Sequence, residues 1–235
     1  EKMLRRWSAI DIQVFYEGEQ AFANILERML STMELKIALK DPIDGCQLLS
    51  ISDGTLVSGT PLSRIKDLDS IPSPYATGLL DKFFDEAMVP LVETSRGCPF
   101  ACNFCNAGND YFNQVNKFSD DYIREELTYI ARQCSKGGIN QVTFADNNFG
   151  MMQRDVKTAE LIFDLQQKFG WPKTLSMWTG KNSKQRVIDV TRLLGDSLNI
   201  SMAVQSMDES VQKNIKRDNI SLEDYHAIAE QLAEE

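Results

Sequence analysis

From about residue 88 to the end, the sequence alternates short apolar runs with amphipathic stretches, and this alternation constrains the fold more than any other feature. Residues 89–94 read as a strand. Ser119 is placed to cap a helix that has Asp120 and Asp121 in its first turn and a stripe of Ile123, Leu127, Ile130, Ala131 and Cys134. Gly137-Gly138 stops that helix. Residues 141–145 form the second predicted strand. A helix over 153–169 follows, with Val156, Ala159, Ile162, Leu165 and Phe169 on one face. Residues 175–179 are a third strand, 183–194 a helix and 198–204 a fourth strand. Helices are expected over 208–216 and 222–234. Repeated strand-helix units of this length imply an α/β fold, with a parallel sheet and helices outside it, open or closed into a barrel. Ligands in such folds bind at the C-terminal ends of the strands.

The upstream part reads differently. A short apolar stretch at 12–16 leads into Glu17-Gly18-Glu19. A helical pattern then carries Phe22, Ile25, Leu26, Met29, Leu30 and Met33. This is the pattern of the last strand, loop and helix of an α/β unit. Further on, Ser52-Asp53-Gly54 separates two short apolar runs and predicts a β-hairpin. Pro61, Pro72 and Pro74 then mark an extended connector. The expected organisation is a remnant of an α/β unit at 1–34, a connector with a hairpin at 35–87, and a core at 88–235.

Composition narrows the function classes. Of 235 residues, 43% are hydrophobic and 25% charged, which fits a folded globular chain rather than a disordered one. The net charge of −9 argues against binding a nucleic-acid backbone through a basic surface. No apolar run approaches the roughly 20 residues that a membrane-spanning helix needs. The N-terminus leads into no apolar leader core, and the chain does not begin with Met, so it reads as a fragment. Five cysteines without a leader fit a reduced, cytoplasmic setting better than a disulfide framework.

Three of those cysteines fall together in Cys98-Pro-Phe-Ala-Cys102-Asn-Phe-Cys105, directly behind the first strand of the alternating region. Thiolates are soft ligands that suit zinc or iron–sulfur clusters. A structural zinc site needs four protein ligands. A 4Fe–4S cluster usually takes four cysteines, so three leave one iron open to a small molecule. A zinc knuckle completed by Cys46, Cys134 or His226 is the alternative that the residues leave open. Cys134 lies on an apolar helix stripe and is expected to act as a small buried hydrophobe.

The C-x3-C-x2-C loop, with Phe104 just before its third cysteine, resembles the cluster loop of the radical S-adenosylmethionine (radical SAM) superfamily. The resemblance implies a partial parallel (β/α) barrel with about four of the family's six units. It implies that Cys98, Cys102 and Cys105 hold a 4Fe–4S cluster whose fourth iron takes the amino and carboxylate groups of SAM. One-electron cleavage would then give a 5′-deoxyadenosyl radical that takes hydrogen from a substrate.

Other positions extend the resemblance. Asp146 and Asn147 follow the second strand, where the family passes the SAM amino group. This sequence departs from the family's Gly-Gly-Glu version toward an Asp-rich one seen beside cobalamin-binding domains. Gln205 closes the fourth strand and Arg217 lies twelve residues on, as in relatives that meet the SAM ribose and carboxylate there. The third strand lacks the acidic residue that some relatives place there. The connector Asp67-Leu68-Asp69-Ser70-Ile71-Pro72-Ser73-Pro74-Tyr75 resembles the junction in cobalamin-dependent members, which implies that 1–34 is the C-terminal remnant of a Rossmann-like, cobalamin-binding-like domain. The expected function is therefore reductive SAM cleavage for radical chemistry, with cobalamin-dependent methyl transfer as one reaction. A methylthiotransferase and a non-catalytic, metal-stabilised binding module are the alternatives. A small-molecule or peptide substrate and an electron donor such as flavodoxin or ferredoxin are the implied partners. Membrane and nucleic acid are not.

Overall fold

A computed structural model describes the chain except for residues 86–87, 180–183, 202, 218–220, 222, 224, 227–229 and 231–235. Most of the helix expected over 222–234 lies outside the described residues. Two compact units are present, Glu1–Ile65 and Lys66–Glu235.

The first unit contains α1 (Lys2–Arg6), β1 (Ile12–Val14), α2 (Glu19–Thr32), α3 (Leu35–Ala38), β2 (Cys46–Leu49) and β3 (Leu56–Ser58). The Asp53-Gly54 turn forms as expected, with Gly54 at φ +68, and joins β2 to β3. The hairpin does not belong to a free connector. β2 also pairs antiparallel with β1, and the sheet packs on α2 through Ala21, Ile25, Cys46 and Leu48. The compact unit therefore runs past residue 34, because pairing between β1 and β2 is a long-range contact with no local sequence signature. Glu17 fixes the far end of this unit. Its carboxylate accepts the Ile65 backbone N–H at 2.8 Å and pairs with Arg64 at 3.4 Å. The α2 stripe is split: Ala21 and Ile25 are buried, whereas Phe22, Leu26, Leu30 and Met33 are exposed.

The second unit realises the alternating pattern. Its strands are β4 (Leu91–Val92), β5 (Ser95–Arg96), β6 (Asn116–Lys117), β7 (Gln141–Phe144), β8 (Thr174–Trp178) and β9 (Leu198–Ser201). Its helices are α4 (Asp120–Gly137), α5 (Gln153–Phe169), α6 (Lys184–Leu194) and α7 (Glu209–Asn214). β4, β7, β8 and β9 form a parallel sheet in that order, and α4, α5 and α6 pack side by side along it. Ser119 caps α4 by accepting the Tyr122 N–H at 3.1 Å, and Gly138 ends it at φ +80. Ile123, Leu127, Ile130, Ala131 and Cys134 are all buried. Asp155 begins α5 by accepting the N–H groups of Gly150 and Met152 at 2.8 and 2.9 Å.

The edge of the sheet at β4 is finished by a side chain. Pro90 and Val92 turn their carbonyls toward β7, so the N–H and C=O of Leu91 face outward. The Tyr75 hydroxyl takes both, accepting from the N–H at 2.9 Å and donating to the carbonyl at 3.0 Å. The expected first strand, 89–94, is reduced to two residues because the chain after Val92 turns into a separate antiparallel ribbon, β5 with β6.

Candidate functional site

The β5–β6 ribbon is the neck of the cysteine loop, which occupies residues 97–115. Gly97 makes the entry turn at φ +120, and a Cβ there would lie 2.2 Å from the Gln114 carbonyl oxygen. Only glycine fits that close approach. The Cys98 N–H donates to the Phe112 carbonyl at 2.8 Å, which closes the loop on itself. At Gly108 a Cβ would meet the Cys102 carbonyl oxygen at 2.2 Å, so the second half of the loop folds tightly over Cys102. Cys98 and Cys102 are buried, and Cys105 is exposed.

The turn after β7 docks onto the start of this loop through three consecutive side chains. Asp146, 2% exposed, accepts the Thr94 N–H at 2.8 Å, the Thr94 hydroxyl at 2.6 Å and the Ser95 hydroxyl at 2.8 Å. Burial pushes its carboxyl up, and the Thr94 and Ser95 hydrogen bonds pull against that. Asn147 donates to the Gly97 carbonyl at 3.3 Å. Asn148 donates from its side-chain amide to the Cys98 sulfur at 3.2 Å.

A second attachment comes from α7. The Asn103 N–H donates to the Ile215 carbonyl at 3.1 Å, and its side-chain amide donates to the Asn214 carbonyl at 2.8 Å. These are last-turn carbonyls, which have no partner inside the helix. The Arg217 guanidinium donates to the Ala203 carbonyl and sits 5.9 Å from the centre of the Phe104 ring, within cation–π range.

These attachments frame a cleft of about 520 Å³ at the C-terminal ends of the parallel strands. Phe104, Asp146, Asn147, Gln205 and Arg217, the five positions expected to contact SAM, all line it, together with Cys105. Trp178 and Thr179 form the wall at the end of β8, where no acidic residue stands. Gln205 holds a left-handed backbone at φ +62, uncommon for a residue with a Cβ and typical of ligand sites.

The donor set fits an iron–sulfur cluster in its chemistry: three thiols sit on one loop, and one of them, Cys105, lines the cleft. Among the described residues, no three His, Cys, Asp or Glu side chains are already drawn together as a metal site. The other two cysteines are poor ligands. Burial pushes the Cys134 thiol up to about 12, and burial together with nearby Asp44 raises Cys46. His226 is exposed.

Sequence reasoning missed Thr94, Ser95, Asn103 and Asn148. The run Asp146-Asn147-Asn148 carried a signal, since three short polar residues after a buried strand are positioned to bond neighbouring backbone. Nothing local marked Asn103, whose partners lie more than 100 residues away in sequence.

Comparison with known proteins bears on this arrangement. Residues 92–235 match the Radical SAM superfamily. The chain belongs to that superfamily. Membership brings the family's cofactors, a 4Fe–4S cluster and SAM, as the cysteine loop led one to expect. Two curated relatives are each 29% identical over 96% of this chain. One is a cobalamin-dependent radical SAM methyltransferase, TokK, of Streptomyces tokunonensis. The other is the 2-(S-pantetheinyl)-carbapenam-3-carboxylate methyltransferase of Streptantibioticus cattleyicolor. The chain covers 33% of each, so it spans about a third of the length of these curated relatives. Among solved structures, the cobalamin-dependent radical SAM enzyme OxsB, with aqua-cobalamin and SAM bound, matches 99% of the chain at a TM-score of 0.65 and 15% identity. It is covered over 33% of its length. The radical SAM methyltransferase TsrM of Kitasatospora setae matches 96% of the chain at a TM-score of 0.64 and 12% identity, and is covered over 44%. These likenesses show the shared α/β fold. No described helix is long and apolar enough to cross a membrane.

Proposed function

We propose that this segment is the cluster- and SAM-binding part of a cobalamin-dependent radical SAM methyltransferase. The observation that carries the reading is the single cleft that gathers Cys105 with Phe104, Asp146, Asn147, Gln205 and Arg217. Cys98, Cys102 and Cys105 would hold the cluster, which with SAM supplies one-electron cleavage of a sulfonium. Gln205 offers a donor and an acceptor to ribose hydroxyls. Arg217 presents a guanidinium to a carboxylate while its bond to Ala203 fixes its direction. Asn147 lines the cleft where an ammonium group would lie. Asp146 has turned most of its acceptor capacity to Thr94 and Ser95, so its contribution is chiefly to hold the strand ends that shape the cleft. Phe104 and Trp178 supply apolar walls.

Cobalamin enters through the relatives, two of whose names specify cobalamin dependence or methyl transfer. The first unit is then read as the border of a cobalamin-binding domain. The outward apolar face of α2, with Phe22, Leu26, Leu30 and Met33, is what a helix beneath a further layer presents. A cytoplasmic setting and a one-electron donor of the flavodoxin or ferredoxin kind belong to the same reading. The methyl acceptor is a small molecule or peptide.

The test is anaerobic reconstitution with iron and sulfide, followed by electron paramagnetic resonance of the reduced protein with and without SAM. A reduced-cluster signal that changes when SAM is added is the expected result. Retained zinc without iron would replace the proposal with a structural metal module. Cys102→Ala should lose the cluster, and iron retained at full content with an unchanged spectrum would overturn the ligand assignment.

A further inference from the structure

Asn148 takes no part in the cleft, yet its side chain is aimed at a cysteine. It is 7% exposed, and its amide nitrogen lies 3.2 Å from the Cys98 sulfur. In a thiol, sulfur can donate or accept, so the amide has two possible orientations. A sulfur bound to iron is an acceptor only, and the amide must then present its N–H. The contact is buried, where a hydrogen bond to a charged group counts for more than it does in water. The neighbours of Asn148 also fix its position. Asp146 is tied to Thr94 and Ser95, Asn147 to Gly97, and the Asn148 carbonyl accepts the Met151 N–H.

We infer that Asn148 is a positioning residue that hydrogen-bonds the Cys98 thiolate and thereby raises the reduction potential of the cluster. The inference rests on the proposed cluster assignment. Its physical basis is that reduction adds negative charge to the iron–sulfur unit. An N–H aimed at a ligand sulfur stabilises the more negative, reduced state more than the oxidised one. The residue touches the ligand and not the reacting atoms, so its effect is on how readily an electron is accepted.

The experiment is a redox titration of the reconstituted full-length protein, read by electron paramagnetic resonance, for wild type, Asn148→Leu and Asn148→Asp. Leucine removes the donor at similar volume. Aspartate, titrated at a pH high enough to ionise a buried carboxyl, removes it with almost no change of shape and adds a negative charge. Both variants should keep wild-type iron and sulfide content. Each should be harder to reduce, with the reduced-to-oxidised ratio at the wild-type midpoint falling at least tenfold, which is 59 mV for a one-electron couple. Aspartate should shift further than leucine. Midpoints equal to wild type in both variants, or a rise in either, would overturn the inference while leaving the cluster assignment standing. Loss of the cluster from both variants, with circular dichroism unchanged, would make the amide an assembly requirement and overturn the tuning role. A wild-type protein that assembles no cluster would overturn both the assignment and this inference.

Discussion

Asp146 binds Thr94 twice, taking the backbone N–H on one carboxylate oxygen and the hydroxyl on the other. The two residues follow the ends of neighbouring parallel strands, so this pair ties the start of the cysteine loop to the strand end that lines the cleft. Asp146→Ala would leave the Thr94 and Ser95 donors unpaired in the interior. It should cost about 2–4 kcal/mol, measured by urea denaturation. Thr94→Val removes one bond and should cost about 1 kcal/mol. The double variant should cost less than the sum, because the two changes remove a shared interaction. Additive losses would mean that the pair does not act as a unit.

The Asn103 contact with α7 predicts a functional effect larger than its structural one. Asn103→Ala removes an exposed hydrogen bond and should lower global stability by no more than about 1 kcal/mol. SAM affinity in the reconstituted protein should fall by up to about tenfold, since Phe104 and Arg217 then lose their fixed relation. Titration calorimetry checks the affinity. An unchanged Kd would show that the α7 attachment does not shape the cleft.

Gln205 predicts a separation of stability from binding. Its left-handed backbone disfavours a side chain by about 1 kcal/mol, and glycine relieves that while adding about as much unfolded-state entropy. Gln205→Gly should therefore leave the denaturation midpoint nearly unchanged and weaken SAM binding. A large loss of stability would show that the side chain is structural.

Asp155 carries the pH dependence of the α5 start. Burial pushes its carboxyl from 3.8 to about 6, although the Met152 and Gly150 N–H groups and Arg154 pull it down. The folded state therefore binds a proton more tightly than the unfolded chain does. Stability from this group is fully present below about pH 4 and is lost as pH rises to about 6, then stays level. The difference is on the order of 3 kcal/mol. Asp155→Asn keeps an acceptor for both N–H groups and removes the titration. The variant should show a flatter stability profile between pH 4 and 6 than wild type, by chemical denaturation at each pH. Identical slopes would contradict this.

The alternating half of the fold was readable because each helix there carries its own start, stripe and stop. Ser119 and Gly138 bound α4, and five residues picked by spacing alone are buried. The first half was less readable. The stripe on α2 was visible, but which side of it is covered depends on β1 pairing with β2, residues 12–14 with 46–48. The cleft residues were found because the family resemblance picks positions behind the strands, and strand ends in a parallel sheet converge on one side. What could not be read were the partners: Thr94 for Asp146, Cys98 for Asn148, and α7 for Asn103. Each is a tertiary hydrogen bond between segments with no periodic relation in the sequence.

The Tyr75 hydroxyl makes the two edges of the parallel sheet unequal. By occupying the outward backbone groups of Leu91, it leaves no place for another strand beside β4 at that position. The spatial order β4-β7-β8-β9 is also the chain order. Each strand can therefore dock on its predecessor as the polypeptide leaves the ribosome. The oldest edge of that series is closed at Leu91 by a phenol from the same chain, which leaves the β4 side no free backbone pair there to accept a strand out of order.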